Sequence, residues 1–376
     1  MLLSFSQATM VIIAAKTIES TVKRFFLFMI LNLSLKLFFK FLLRSTSFTH
    51  QRRFTLTPYL SFLFFFHLCL LLKVSGMDKN KIGVYFSAAT AMTMWALTFV
   101  WYKIVNETYP PFAIVFLRLL ISCIIMLGIA AFNPVLQKLQ RRDIPYFILL
   151  AFIYPTIYFL AESIGLTMIH ASLGAVIIST IPLIVPAGAY LILKERVTLF
   201  NVLGILISFM GVLIVVLNRD LSISADPVGM LLMLVAVFCA AGYTIMVKRL
   251  TERYNAYSIT VYQNIFGTLM FLPLFLVFDF KEFIAADHSS KAILNLLYLA
   301  VFGSSLAFIF FNYSIKKIGA TRTEVFSNLI PVITAVFAYF MLGEELGLKK
   351  VIGIGVVLAG LFLSQMRSRK KSYPRY

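Results

Sequence analysis

Residues 181–211 read IPLIVPAGAYLILKERVTLFNVLGILISFMG, and residues 330–360 read IPVITAVFAYFMLGEELGLKKVIGIGVVLAG. With a constant offset of 149 residues and no gap, 12 of the 31 aligned positions are identical. An apolar composition matches some Leu and Ile by chance, but it does not readily match a Pro, a Tyr, a Glu and two Gly in one register. The pattern therefore predicts an internal duplication of the chain.

The composition of the 376 residues is that of a membrane protein. Hydrophobic residues make up 61% of the chain and charged residues 13%, whereas a soluble domain is about half apolar and about a quarter charged. Lipid is therefore the expected solvent, with backbone polar groups satisfied inside helices. The net charge of +19 is distributed between apolar runs, which favours a topological signal over nucleic-acid binding. The three cysteines, Cys69, Cys123 and Cys239, lack metal-ligand spacing, so we expect no metal, disulfide or cofactor.

From Met77 onward the sequence predicts ten membrane spans, each near the ~20 residues that a bilayer requires. Their limits are 83–102, 112–132, 144–168, 171–193, 198–217, 228–247, 257–278, 292–315, 321–342 and 350–366. With Met77 in the cytoplasm, the inside segments carry 18 Lys and Arg and the outside loops carry six, which is a strong positive-inside bias. Both termini of the 77–376 unit are therefore expected in the cytoplasm.

Residues 1–76 differ from the rest of the chain. They hold nine Lys and Arg, a single acid, Glu19, and two interrupted apolar runs. A clear signal-peptide cleavage site does not follow these runs. We interpret 1–76 as a hydrophobic, basic N-terminal extension that arises from a misplaced start codon, with extra membrane helices or a targeting segment as the alternatives. The remaining expected units are a first five-helix repeat at 77–220, a second at 221–366 and a basic cytoplasmic tail at 367–376.

Five spans per repeat make the two halves enter the membrane in opposite directions, so the sequence predicts an all-α membrane protein of two inverted repeats. The repeats share a Pro…Leu-x-Glu…Gly…Gly pattern, at Pro182, Leu193, Glu195, Gly204 and Gly211 and at Pro331, Leu342, Glu344, Gly353 and Gly360. With Trp95 and the FLRLL stretch around Arg118, this pattern resembles the EamA-type transporters of the drug/metabolite transporter superfamily over about 83–366. The resemblance implies a secondary transporter, most often an exporter of amino acids, other metabolites or drugs, and we expect it in a bacterial plasma membrane.

Three charged side chains are predicted inside spans, where each costs a few kcal/mol. Arg118 and Glu162 lie at similar depth, roughly 10 Å from the outer ends of helices 2 and 3, so an ion pair is geometrically feasible. The alternatives are that Arg118 extends toward the interface, and that Glu162 titrates during transport or contacts a cationic substrate group. The third, Glu324, lies near the cytoplasmic end of helix 9, where we interpret it as a solvated or capped helix start beside Arg322.

Other polar and aromatic side chains inside spans are candidate walls of a substrate cavity. Tyr158 lies one turn before Glu162 on the same helical face, which favours a binding wall. For each candidate, packing between helices is the alternative to ligand contact. The candidate set is Trp95, Tyr158, Glu162, Ser179, Tyr243, Gln263, Asn312 and Asn328.

One helix in each repeat contains a proline that follows a small polar residue by three positions. In helix 4 the pair is Ser179 and Pro182, and in helix 9 it is Asn328 and Pro331. A proline leaves one carbonyl of the preceding turn without its donor. We therefore expect both helices to bend around a central cavity, with packing alone as the alternative.

The sequence favours a transporter by alternating access over an enzyme. A GxxxxGK[ST] phosphate loop is absent, and an intramembrane enzyme needs clustered Asp, His or metal ligands, which 77–376 lacks. The expected partners are a small-molecule substrate, the bilayer and protons, with no nucleic acid, and the chain is a monomer or a homodimer. Two alternatives stay open. One is a carrier of nucleotide sugars or other phosphorylated metabolites, which would need more cationic side chains in the cavity than Arg118. The other is a non-transporting membrane partner protein.

Overall fold

The computed structural model describes residues 79–193, 199–216, 225–345 and 347–365. The predicted extension at 1–76, the tail at 367–376 and Glu195 lie outside these residues. We label the helices in chain order, and several consist of segments joined by a π-helical or 3-10 turn. They are α1 (Lys79–Asn106), α2 (Pro111–Phe132), α3 (Ile144–Ala151, π-helical Phe152–Ile157 and Tyr158–Met168), α4 (Ala171–Ile178 and Ile181–Leu193), α5 (Leu199–Val216), α6 (Pro227–Leu250), α7 (Ala256–Leu274, π-helical Phe275–Asp279 and Phe280–Ala285), α8 (Ser290–Tyr298, π-helical Leu299–Leu306 and Ala307–Ile318), α9 (Ala320–Glu324, 3-10 Val325–Asn328 and Leu329–Leu342) and α10 (Leu348–Gln365).

The helices form a bundle whose surface is apolar. Within the described residues, eight helices are long and apolar enough to cross a bilayer. Large side chains such as Phe132, Leu191 and Val277 are exposed on the outside of the bundle, where a soluble protein would carry polar groups. The protein is therefore a multi-pass integral membrane protein.

α5 and α10 are each 18 residues long and pack against each other. A Cβ atom on Gly211 of α5 would lie 2.6 Å from Val357 N and 2.8 Å from Gly353 O of α10. Only glycine permits this approach of two helix backbones, which is how small residues serve helix packing in membranes. Gly211 belongs to the pattern that marks the end of the first repeat.

Helices of the two predicted repeats, 77–220 and 221–366, pack against each other in equivalent combinations. α1 packs against α8 and α9, and α6, the copy of α1, packs against α3 and α4, which are the copies of α8 and α9. α2 and α7 are also copies, and they pack against each other. The first helix of each predicted repeat thus packs against the third and fourth helices of the other. The buried core therefore lies at the seam between the repeats.

α2 and α7 run in opposite directions, because each begins where the other ends. Asp279, at the end of α7, accepts a hydrogen bond from Ala113 N at the start of α2, at 2.9 Å. Gln137, beyond the end of α2, accepts one from Asn255 N before the start of α7, at 2.5 Å. Acceptors at these positions satisfy N–H groups that have no partner inside the helix.

The start of α4 lies against the end of α9 in the same way. Glu344, just after α9, accepts hydrogen bonds from Ala171 N at 2.8 Å and from Ser172 N at 3.3 Å. Its side chain is buried, and Lys350 Nζ lies 3.8 Å from its Oε2. A carboxylate here also interacts favourably with the helix dipole.

Four of the helices are irregular at equivalent places in the two repeats. α4 is interrupted at 179–180 and α9 has its 3-10 turn at 325–328, just before Pro182 and Pro331 respectively. α3 and α8 each contain a π-helical segment in the middle of the span. Such segments leave carbonyl groups free to accept hydrogen bonds from neighbouring side chains.

Candidate functional site

A cavity lies at the seam between the repeats. The space between its side chains is about 540 Å³, a figure that includes the part open to solvent. Its wall combines apolar and aromatic side chains with two carboxylates and one guanidinium. The lining residues are Met92, Trp95, Thr98, Phe99, Arg118, Tyr154, Tyr158, Phe159, Glu162, Ile178 and Ile181 from the first repeat and Ala240, Tyr243, Thr244, Phe311, Glu324, Ser327 and Ile330 from the second.

Arg118 of α2 is held in the cavity wall by two contacts. Its Nε donates a hydrogen bond to Ser304 Oγ at 2.9 Å, and its guanidinium lies 4.4 Å from the centre of the Phe159 ring. The side chain is only 3% exposed. Arg118 therefore stays inside the bundle and does not extend to the membrane interface.

Glu162 of α3 faces the same cavity as Arg118. Its Oε1 accepts a hydrogen bond from Tyr158 Oη at 2.7 Å, as expected for residues one turn apart. Among the described residues, Glu162 has no salt bridge within 4 Å, so the predicted direct ion pair with Arg118 does not form. Both side chains instead line the cavity without a direct contact between them.

Glu324 of α9 is buried, which differs from the expected solvated helix start beside Arg322. It is 3% exposed, and its Oε1 accepts a hydrogen bond from Thr244 Oγ1 of α6 at 2.6 Å. Arg322 is exposed instead. The short segment Ala320–Glu324 packs against α4, α6 and α8, and this packing carries the Glu324 carboxylate into the interior.

The π-helical segment of α8 supports the Arg118 side of the cavity. Trp95 Nε1 donates to Gly303 O at 3.2 Å, and Asn264 Nδ2 donates to Ser304 O at 2.8 Å. Ser304 Oγ in turn accepts from Arg118 Nε. The irregular backbone thus anchors α1, α2 and α7 at one point next to the cavity.

Aromatic rings form much of the remaining wall. Tyr154 and Tyr158 stack with their centroids 4.0 Å apart, and Tyr243 lies 4.7 Å from Tyr154. Trp95 packs against Phe311 with a centroid separation of 4.8 Å. Rings in this arrangement can hold an apolar group or a cation.

The structure brings half of the candidate cavity residues together at the cavity. Trp95, Tyr158, Glu162 and Tyr243 line it. The four others, Ser179, Gln263, Asn312 and Asn328, are buried without lining it. Two of them carry polar side-chain atoms without a hydrogen-bond partner, namely both amide atoms of Gln263 and Oδ1 of Asn328.

Several lining residues were not singled out in the sequence. Tyr154 departs from helical geometry, with φ −143° and ψ 112°, and this turns its ring toward Tyr158. Thr244 is identified only by its partner, Glu324, which lies 80 residues later. Pro155 inside an apolar run was a usable signal for Tyr154, since proline disturbs a helix. A sequence signal for Thr244 does not exist.

Within the described residues, no group of three or more His, Cys, Asp or Glu side chains is close enough to hold a metal ion. Glu162 and Glu324 are each held by a hydroxyl donor.

The sequence matches the EamA-like transporter family over residues 82–217 and again over 227–366. These two matches cover most of the chain, and each lies within one of the predicted repeats, 77–220 and 221–366. The chain belongs to the EamA-like transporter family. By family it is therefore a membrane transporter.

Relatives of this EamA-like protein occur in bacteria and archaea. The uncharacterized transporter YetK of Bacillus subtilis (strain 168) is 26% identical over 304 residues, which are 79% of this chain and 91% of the relative. An uncharacterized transporter of Archaeoglobus fulgidus is 28% identical over 280 residues, 73% of this chain and 96% of the relative. One of Acidianus ambivalens is 32% identical over 254 residues, 67% of this chain and 93% of the relative.

The fold of this EamA-like protein also resembles a solved structure described only as "Crystal structure of protein". The two share a TM-score of 0.60 at 14% sequence identity, over 75% of this chain and 96% of the other. At this identity the similarity shows the fold alone.

Proposed function

We propose that this EamA-like protein is a secondary active transporter that exports small zwitterionic or cationic metabolites, such as amino acids or amine drugs, by alternating access coupled to protons. The observation that carries the proposal is the cavity at the seam of the repeats, with Arg118, Glu162 and Glu324 in its wall. A site at the seam can open to either side of the membrane when one half rocks against the other.

The charges of the cavity support this class of substrate. Arg118 has its Nε bound to Ser304, and its remaining N–H groups suit a carboxylate. Glu162 has one oxygen bound to Tyr158, and the other can accept from an ammonium group. A zwitterion that bridges these two side chains would neutralise both, which lowers the cost of burying them.

The packing of the helices supports two inverted repeats of five spans, in which α5 and α10 also cross the membrane. α2 opposes its copy α7 in direction, and the start of α4 lies at the end of α9. Since one chain lines the cavity, a single chain suffices as the transport unit. The distribution of Lys and Arg supports cytoplasmic termini of the 77–376 unit, in a bacterial plasma membrane.

A carrier of phosphorylated metabolites fits the cavity less well. A phosphate group needs several cationic or N–H donors, and Arg118 is the single basic residue among the cavity-lining residues, beside two carboxylates. A non-transporting partner protein would not require a charged cavity at the seam.

Counterflow in liposomes tests the proposal. Liposomes with the purified full chain are loaded with an unlabelled compound and diluted into the same compound in labelled form. The panel is leucine, phenylalanine, lysine and choline, with a sugar phosphate and a nucleotide sugar for the alternative. We expect transient accumulation of label for at least one zwitterion or cation.

Glu162→Gln provides the matched comparison, because it preserves the size of the side chain and removes its charge. We expect it to abolish exchange of the compounds that carry an amine. Exchange of the phosphorylated compounds alone would replace our proposal by the alternative. Exchange of nothing, by a protein that elutes as a single folded species, would favour the non-transporting partner.

A further inference from the structure

Glu324 is a buried carboxylate of the cavity wall with a single hydrogen-bond donor. Its carboxylate accepts one hydrogen bond, from Thr244 Oγ1 at 2.6 Å. Within the described residues, no basic nitrogen lies within 4 Å of it. The charge of Arg118, by contrast, acts on Glu162 in the same cavity.

The elements packed around Glu324 do not compensate its charge. Of the titratable side chains on them, Tyr243 is the one that also lines the cavity. At the end of α8, Lys316 Nζ donates to Tyr254 O at 3.5 Å, and Lys317 lies 5.9 Å from the Tyr313 ring. Among described side chains, the titratable and charged groups on these elements are Tyr85, Tyr102 and Lys103 of α1, Tyr190 of α4, Cys239, Tyr243, Lys248 and Arg249 of α6, Lys291, Tyr298, Tyr313, Lys316 and Lys317 of α8, Arg322 and Tyr339 of α9, and Lys349 and Lys350 of α10.

Burial without a counter-charge favours the neutral form of a carboxyl group, because an ionised one loses its hydration. Hydration returns whenever the cavity opens to water. A group in this position therefore takes up and releases a proton as access to the cavity changes. Glu162 differs from Glu324 because the charge of Arg118 acts on it.

Glu324 also lies at a joint of α9. It is the last residue of the segment Ala320–Glu324, and the 3-10 turn Val325–Asn328 follows directly. Ser327 Oγ donates back to Glu324 O at 2.8 Å, and Asn328 Oδ1, one turn further, has no partner. A change of charge at Glu324 thus acts where the helix is least regular.

We propose that Glu324 is the proton-binding residue of the transport cycle, while Arg118 and Glu162 stay charged and bind the substrate. This inference rests on the proposed function. The carboxylate takes a proton from external water after the substrate has left. It releases this proton to cytoplasmic water when the cavity opens inward, and the next substrate then binds.

The test uses the full chain in liposomes, with labelled phenylalanine and labelled choline as probes. Counterflow measures exchange without a gradient. A second assay measures accumulation driven by a gradient of one pH unit, which supports up to about tenfold accumulation at one proton per substrate. We expect Glu324→Gln to lose this accumulation, with exchange that is reduced but measurable and no longer depends on pH.

Two further variants complete the design. Glu324→Asp keeps the carboxylate and should keep a response to the gradient. Glu345→Gln removes an exposed acid next to the end of α9 and should behave as the unmodified protein. If Glu324→Gln does not fold, Thr244→Val tests the inference instead. This variant removes the hydroxyl donor to Glu324, so the pH at which exchange is half-maximal should shift to higher values.

The outcomes separate the two proposals. Full gradient-driven accumulation by Glu324→Gln overturns the inference and leaves the proposed function standing. The same holds for exchange by the unmodified protein that never responds to a pH gradient, and for an unshifted pH profile of Thr244→Val. Absence of counterflow by the unmodified protein, across the full panel, overturns the proposed function itself.

Discussion

The two sides of the cavity differ in how far their charges are compensated. On the α2 and α3 side, Arg118 and Glu162 have opposite charges and each has a hydrogen-bond partner. On the α6 and α9 side, Glu324 has one hydroxyl donor, and the nearby Asn328 Oδ1 has no partner. A compensated wall keeps its charges and suits binding. An uncompensated wall changes its charge easily and suits proton exchange.

The largest effect is expected from Arg118→Met, which removes the compensation on the first side. The variant removes the buried hydrogen bond of a charged group to Ser304 Oγ, which is worth about 1.5–3 kcal/mol. It also leaves Glu162 buried without the opposite charge of Arg118, which adds to the loss. Exchange of every carboxylate-bearing substrate should also stop. Thermal unfolding of the purified protein and counterflow of labelled leucine measure the two losses.

The double variant Arg118→Met, Glu162→Gln is the control for this effect. If the cost arises from an uncompensated charge, the neutral pair should recover much of the lost stability without recovering transport. Additive losses of stability would show that the two side chains act independently, and the two sides of the cavity would then not differ as described.

A smaller loss is expected from Gly303→Ala, which disturbs the support behind Arg118. A Cβ atom at this position would lie 2.6 Å from Thr98 Cγ2 and 2.9 Å from Arg118 Nη2. Overpacking of this kind costs about 1–3 kcal/mol. The melting temperature of the variant should fall, together with its affinity for carboxylate-bearing substrates.

Thr98→Ser provides the rescue, since it removes the clashing methyl group and keeps the hydroxyl that donates to Trp95 O at 2.6 Å. Gly128→Ala is the matched control, because nothing lies within 4 Å of a Cβ atom there. It should be neutral or slightly stabilising. An equal loss in both glycine variants would show that the effect does not arise from the contacts with Thr98 and Arg118.

A comparison of two asparagines sharpens the contrast between the sides further. Asn312 accepts from Tyr243 Oη at 3.0 Å and donates to Thr260 Oγ1 at 3.2 Å. Asn312→Leu should therefore destabilise the protein by about 1–2 kcal/mol, since two buried groups lose their partner. Asn328→Leu should raise the melting temperature, because its Oδ1 has no partner to lose.

For Asn328→Leu, we expect transport to fall while the melting temperature rises. If the unmet hydrogen-bonding capacity beside Glu324 serves proton exchange, gradient-driven accumulation should fall although the fold is more stable. A stabilised variant with full accumulation would assign Asn328 to packing alone.

The sequence predicted the membrane bundle and the repeats because these depend on patterns that span many residues. Apolar runs of bilayer length predict the helices, and a fixed offset relates the two copies. The family match over 82–217 and 227–366 is consistent with both. Arg118 and Glu162 could be found because a charge inside an apolar run is costly.

The composition of the cavity could not be predicted to the same extent. Helical spacing does not tell which face of α7 or α8 points to the cavity, and Gln263 and Asn312 are buried elsewhere. The depth of Glu324 depends on packing of a short segment against three other helices. Tyr154 reaches the cavity through a local departure from helical geometry. Each of these is decided by tertiary contacts.

The smallest effect is expected outside the cavity, at Glu344. This carboxylate accepts from the backbone of Ala171 and Ser172 at the start of α4, and Gln can accept one of these bonds but lacks the charge. Glu344→Gln should lower stability by about 1 kcal/mol, the usual size of a helix cap. Unfolding temperature is the measurement.

Glu345→Gln is the control for Glu344→Gln, since it removes the same charge from an exposed neighbour and should have no measurable effect. Counterflow should persist in both variants, because neither side chain lines the cavity. If Glu344→Gln abolished transport at unchanged stability, the contact between α4 and α9 would belong to the moving parts of the cycle. The comparison of the two sides of the cavity would then have to include the contact of Glu344 with the start of α4 as well.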